Sequence, residues 1–289
     1  MRNVGTVSRG IRCPIIKEGD NLANIVVDSV LNASKTDNFE IRDRDVIAIT
    51  ESVVARSQGN YCTIDDIALD IKNKFNNDTI GVIFPILSRN RFSILLKGIA
   101  RGAKKIILML SYPSDEVGNA LVSWDDIDNN NINPYSDVLT LEQYRKYFGY
   151  KKHEFTGVDY VAYYEELIKG EDCEVEFVFA NQAKTILNYT KHILACDIHT
   201  RARTKRILKE NGAEVVLGLD DIMNASINGS GFNENYGLLG SNKSTEEKVK
   251  LFPRDAQGLV DSIQEMILET TGSANSQIFP CGSLNAPSP

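Results

Sequence analysis

Long apolar runs are missing from this chain. No stretch approaches the roughly 18 apolar residues that a membrane span requires, and Met1-Arg-Asn-Val-Gly5 opens without an apolar signal region. Excess positive charge is missing too. The 32 Lys and Arg against 39 Asp and Glu leave a formal charge of −7, which disfavours a nucleic-acid groove or a basic membrane-binding run but leaves room for a local cationic pocket. None of the five cysteines (Cys13, Cys62, Cys173, Cys196 and Cys281) forms a CxxC pair, so free thiols in a reducing cytoplasm are the simplest expectation. The acidic run from Trp124 to Tyr135 lacks the glycine and distal glutamate of an EF-hand, and the Gly/Ser/Asn run from Ser230 to Lys243 is neither a Walker A loop nor a GxGxxG.

What is present is the composition of a soluble globular protein, 42% hydrophobic and 25% charged, in a chain long enough for one large domain or two lobes. Residues 14–31 read as a turn and an amphipathic helix capped by Asp20. A buried strand follows at Val46–Ile49, then a polar turn and a short helix stopped by Gly59. Thr63 or Asp65 caps a helix reaching Phe75. Residues 80–87 form an apolar strand ended by Pro85, then a helix from Ile94 to Arg101 and a strand from Lys105 to Leu110, spaced as a βαβ-like unit. Helical signals rich in tyrosine fill 138–170. Glu174–Ala180 alternates as a strand, and a helix carries Ala183, Ile186 and Tyr189. Short strands are expected at Ile193 and at Ala213–Leu219, and helices from about Thr200 to Gly212 and over 256–270. From Ser273 to Pro289 the periodicity stops and the tail reads as disordered.

Four places carry chemistry. Arg89 and Arg91 sit at a helix start, against the macrodipole, which an anionic ligand would explain and surface solvation would explain more plainly. Asp115 and Glu116 follow a buried strand and suit one ligand of a hard divalent cation. Asp197 and His199 end another buried strand, and a helix opening at Thr200 carries Arg201, Arg203, Lys205 and Arg206. A carboxylate for a metal and cations for phosphate oxygens make that segment a metal–phosphate candidate, and a basic surface helix is the alternative. The Gly237–Lys243 loop permits close backbone approach and ends in a cation.

The stretch from Asp45 to Gly59 also resembles a known signature. Asp45-Val-Ile-Ala-Ile-Thr50-Glu-Ser-Val-Val-Ala-Arg-Ser-Gln-Gly59 is similar to the N-terminal motif of the coenzyme F420-0:L-glutamate ligase (gamma-glutamyl ligase) family, Asp-Val-Leu-Val-Val-Thr-Gln-Lys-Ile-Val-Ser-Lys-Ala-Glu-Gly. Upstream, Pro14-Ile-Ile-Lys-Glu-Gly-Asp20-Asn-Leu22 matches the family's opening. The family's Lys falls on Ser52, and its Ser-Lys-Ala-Glu falls on Ala55-Arg56-Ser57-Gln58, so the branch is divergent. The family's Asp-Thr-x-Gly-Arg-Pro-x-Arg segment resembles the stretch at Asp197 and Arg201, without the Gly-Arg-Pro. The resemblance covers about 11–270.

The resemblance implies an α+β (mixed α/β) fold with mixed sheets flanked by helices, spanning 1–272, with 111–190 as a candidate second lobe. It implies a cytoplasmic ligase that activates a small acidic substrate with GTP (or ATP) and Mg²⁺ or Mn²⁺ through an acyl phosphate, for attack by L-glutamate. On this reading Asp197 and Asp115 or Glu116 hold the metal. Ser52, Arg56, Arg89, Arg91, Gly237, Ser241, Asn242 and Lys243 line the nucleotide, while Arg201 and Lys205 hold phosphate and His199 moves a proton. A homodimer is expected, and neither nucleic acid nor membrane is a partner. Divergent relatives run on past this point, which implies a shortened or altered product. A non-catalytic binding or regulatory relative, favoured by Ser52 and Gln58, and a folate-type γ-glutamyl ligase are the alternatives.

Overall fold

A computed structural model describes residues 5–76, 79–272 and 277–281. In chain order the helices are α1 (Leu22–Thr36), α2 (Glu51–Ser57), α3 (Ile64–Phe75), α4 (Phe92–Arg101), α5 (Trp124–Asn129), α6 (Leu141–Phe148), α7 (Tyr160–Lys169), α8 (Arg201–Glu210) and α9 (Ala256–Thr271). The strands are β1 (Val46–Thr50), β2 (Tyr61–Thr63), β3 (Thr79–Ile83), β4 (Lys105–Leu110), β5 (Leu139–Thr140), β6 (Glu174–Phe179), β7 (His192–Ala195), β8 (Val215–Gly218), β9 (Asn242–Lys243), β10 (Lys248–Lys250) and β11 (Gln277–Cys281). Two 3-10 turns, Ala183–Asn188 and Leu219–Asp221, complete the set. The fold is α+β, as expected.

The chain divides into two compact units, 1–60 with 253–289 and 61–252. The division falls away from the anticipated lobe at 111–190. That segment sits inside the second unit because its strands β5 and β6 join the same sheet as β3 and β4.

In the first unit, Leu22, Val26, Val27 and Val30 of α1 pack with Ile49, Val54 and, from α9, Val260, Ile263 and Ile267. The cap of α1 is Asn21, whose side chain accepts from the Asn24 amide at 3.1 Å, while Asp20 accepts from the Lys17 amide at 2.6 Å. β1 pairs in parallel with β11, Val46 opposite Gln277 and Thr50 opposite Cys281. Part of the expected tail is thus laddered, because backbone pairing requires no side-chain period. The rest of it, 273–276 and 282–289, lies outside the described residues. Gln58 brackets the backbone of one residue: its Nε2 donates to the Arg254 carbonyl (2.5 Å) and its Oε1 accepts from the Arg254 amide (2.9 Å).

The second unit is built on a six-stranded sheet ordered β5-β6-β4-β3-β7-β8. All neighbours are parallel except β5 against β6, so the expected β3–α4–β4 unit is present. Both faces are covered, as parallel strands demand. Ile80, Val82, Ile106 and Leu108 face α3, α4 and α7, and Ile83, Ile107, Met109 and Ile193 face α8 and the Ala183–Asn188 turn. A smaller antiparallel sheet, β2-β10-β9, accompanies it. Of the two caps expected for α3, Thr63 is the one used, in a capping box with Asp66.

Two local expectations change. The strand read over 80–87 ends at Ile83, because Phe84 turns left-handed (φ 54°) before Pro85, which has no amide to donate. The loop read from Trp124 begins as α5, nucleated by a capping box between Ser123 and Asp126. Cys13, Cys62, Cys173 and Cys196 are free thiols. Among the described residues no helix is long and apolar enough to cross a membrane.

Candidate functional site

β3 and β7 are parallel neighbours, yet the helices that follow them pack on opposite faces of the sheet. α4 contributes Ile94, Leu96 and Ile99 to one core, and α8 contributes Leu208 to the other. Chain order reverses between these two strands, so both chains leave the carboxyl edge there and splay apart. In open parallel sheets this is where ligands bind. The loop after β4, the other neighbour of β3, reaches the same edge.

The β3–α4 loop opens at Phe84, whose positive φ costs a bulky residue about 1–3 kcal/mol and is held by its surroundings. The Phe84 amide donates to Met109 O at 2.9 Å. Tyr164, from α7, donates its hydroxyl to Ile86 O (3.0 Å) and accepts from the Ser88 amide (2.9 Å). Between them the Leu87 amide donates to Asp115 Oδ2 at 2.7 Å. Ser88 Oγ accepts from the Arg91 amide (3.1 Å), short of the helix proper, so α4, with Arg91 at its N-cap, has no side-chain cap. Arg89 and Arg91 are exposed, and neither has an ion-pair partner among the described residues. The Lys243 amide donates to Asn90 O at 3.0 Å, which draws β9 against this loop, while the Lys243 ammonium pairs with Glu246.

The carboxylates expected on a metal are each engaged separately. Asp115 is buried and accepts four bonds, from the Leu87, Val117 and Asn119 amides and from Asn119 Nδ2. Glu116 is exposed and accepts from the backbone amides of Ile198 and His199 on the β7–α8 turn. Asp197 is 1% exposed. Its Oδ2 accepts from the hydroxyls of Thr200 (2.6 Å) and Thr204 (2.7 Å), and its Oδ1 has no hydrogen-bond partner among the described residues. Among the described residues no group of three or more His, Cys, Asp or Glu is gathered for a metal ion.

The cations of α8 divide by face. Arg201 lies 3.1 Å from Asp220 and donates to Ile198 O at 2.5 Å, and Lys205 lies 3.0 Å from Asp220 and 2.5 Å from Asp221. Burial alone raises the Asp220 carboxyl, but Lys205 and Arg201 together outweigh it and hold the group below its ordinary value. Burial lowers the Lys205 ammonium, and Asp221 and Asp220 more than restore it, so it ends raised. Arg203 and His199 are exposed. Gly237 has φ 50°, and a Cβ there would lie 2.3 Å from Ile222 O and 2.7 Å from Asp220 O. Its role is therefore close packing on the Leu219–Asp221 turn. Ser241 is buried and donates to Leu238 O at 2.6 Å, and Asn242 pairs in the β9–β10 ladder. Ser52 and Arg56 are exposed on α2 of the first unit.

Sequence reasoning missed Tyr164, Asp220 and Asp221. Tyr164 is indistinguishable by pattern from its tyrosine neighbours, which simply pack. Asp220 and Asp221 did carry a signal, an acidic pair directly after a buried strand.

Fold and site together define an α+β protein with a candidate site at the switch point of a mostly parallel sheet. The chain belongs to the F420-0:gamma-glutamyl ligase family, whose sequence model matches residues 10–278, and is thereby γ-glutamyl ligase-like. No curated protein and no solved structure matches it.

Proposed function

We propose that the chain is an acid–amino-acid ligase that activates the carboxylate of a small acidic acceptor with GTP or ATP and passes the acyl group to the amine of L-glutamate. The carboxylate oxygen attacks the γ-phosphorus and the nucleoside diphosphate leaves. The glutamate amine then attacks the acyl carbon, loses a proton and expels phosphate. The observation that carries this reading is the pair Arg89 and Arg91. Two exposed guanidinium groups without ion-pair partners among the described residues stand at an uncapped helix start on the switch-point edge. Such groups offset the charge of a triphosphate through forked hydrogen bonds. The Asn242–Lys243 backbone, tied to Asn90, would close one side of that phosphate site.

Exposed His199 would take the amine proton. Arg201 and Lys205, already paired, hold the β7–α8 turn in this account and leave phosphate to Arg89 and Arg91. For Mg²⁺ or Mn²⁺ the donor set fits in part: Asp197 Oδ1 is one open, buried carboxylate oxygen, while both Asp115 oxygens are committed to amides. The expected homodimer has a candidate surface in exposed Trp124, Tyr135, Tyr150 and Phe155, and a cytoplasmic setting accords with the free thiols. A binding protein without catalysis is the second reading, favoured by the internal neutralisation of Arg201 and Lys205.

Incubation with F420-0, L-glutamate, GTP or ATP, and Mg²⁺ or Mn²⁺ tests the proposal by mass spectrometry, with a folate monoglutamate as second acceptor. A product carrying one added glutamyl group, with matching phosphate release, is expected. Nucleotide binding without phosphate release in the presence of either acceptor would favour the binding protein.

A further inference from the structure

Three backbone groups on the consecutive residues before Arg89, namely Ile86 O, Leu87 N and Ser88 N, are held from outside the loop. All three are taken by side chains from elsewhere in the second unit. Tyr164 takes the first and third, and Asp115 takes the middle one. Neither jaw is free to move. Tyr164 is fully buried, with Phe92 and Tyr160 set edge-on at ring distances of 5.9 and 5.7 Å. Asp115 is tied down by its own loop through Val117 and Asn119. Burial holds the Tyr164 hydroxyl well above its ordinary pKa, so it keeps the proton it donates to Ile86 O. The segment needs such a clamp. It has left the β3 ladder, Pro85 supplies no donor, and Phe84 is left-handed.

We infer that Tyr164 and Asp115 are positioning residues of the anion site, acting through the 86–88 backbone to aim Arg89 and Arg91 at a bound polyphosphate. Tyr164 touches no ligand. Its hydroxyl fixes where the arginine loop begins, and Asp115 does the work of a clamp and not that of a metal ligand. The inference rests on the anion reading of the arginine pair.

The test uses the full chain and inorganic tripolyphosphate. Tyr164→Phe keeps the ring and removes both bonds. Amide exchange should quicken at Ser88 and leave Leu87, still held by Asp115, protected. Calorimetric affinity for tripolyphosphate should fall about tenfold. In an Arg89→Gln/Arg91→Gln background the same change should shift affinity by less than about twofold, because the clamp acts through the two arginines it aims. Unchanged affinity in Tyr164→Phe, or an equal loss in both backgrounds, overturns the inference. A wild-type chain that binds no tripolyphosphate overturns the anion reading itself and this inference with it, and that result appears before any variant is made. Should Tyr164→Phe fail to fold, Asp115→Asn, on the β4 loop, repeats the cycle with Leu87 as the amide to follow.

Discussion

Arg201 and Asp220 face each other at 3.1 Å, Nε to Oδ2, and each is about one-fifth exposed. Lys205 shares the same carboxylate. The pair ties the first turn of α8 to the turn after β8, and it accounts for two cations whose spacing had suggested phosphate. Asp220→Asn should lower stability by about 1–2 kcal/mol, a fall of roughly 3–6 °C in Tm. The folded carboxyl sits below its ordinary 3.8, so this contribution is present above that value and lost as pH falls through the lowered one. Lys205, raised above 10.5, contributes below 10.5 and loses its share as pH rises through the raised value. Urea midpoints of wild type and variant should therefore differ at neutral pH and converge in strong acid.

Gly237 is a packing residue. Its positive φ and the carbonyls of Ile222, Asp220 and Leu219 leave no room for a Cβ. Gly237→Ala should cost about 2–3 kcal/mol, visible as a lower denaturant midpoint with or without nucleotide. A variant of wild-type stability that only binds nucleotide more weakly would return Gly237 to a ligand-closing role.

Gln58 stands where the family motif carries glutamate, and the structure gives a reason for the amide. A carboxylate can accept from the Arg254 amide but cannot donate to its carbonyl. Gln58→Glu should destabilise the chain by about 1–2 kcal/mol at neutral pH, and thermal unfolding at neutral and mildly acidic pH should show the loss shrinking as the introduced carboxyl protonates.

Glu116 supplies the acceptor for two consecutive backbone amides, Ile198 and His199. Glu116→Ala should speed hydrogen exchange at those two amides while the Asp115-held amides of Val117 and Asn119 remain protected. Equal exchange in both proteins would show that the turn holds itself.

How far the sequence reached depended on the range of the interaction. Apolar period placed β4, β6, α1, α3 and α9, because burial on one face writes itself into neighbouring residues. Capping chemistry placed the start of α3 at Thr63 or Asp65, and the box that Thr63 forms with Asp66 spans only three positions. The strands β2, β9 and β10 are two or three residues long, too short for any period, and β11 lies in a segment without one. At the site, the strand ends that carry Arg89, Asp115 and Asp197 were legible as polar residues after apolar runs. What each side chain binds was not: Tyr164 finds Ser88 across 76 positions and Gln58 finds Arg254 across 196. Asp115 shows the limit most plainly, since a carboxylate that caps amides and one that holds a cation look the same in one dimension.

The proposed function depends first on binding of a nucleoside triphosphate at the switch-point edge, by Arg89 and Arg91. Calorimetric titration with GTP and ATP, with and without Mg²⁺ or Mn²⁺, on wild type and on Arg89→Gln/Arg91→Gln tests it directly. Saturable binding by the wild type is expected, with a loss of about a hundredfold or more in the double variant and unchanged thermal stability in the absence of ligand. Equal affinity in both proteins, or no binding of either nucleotide under any condition, would contradict it.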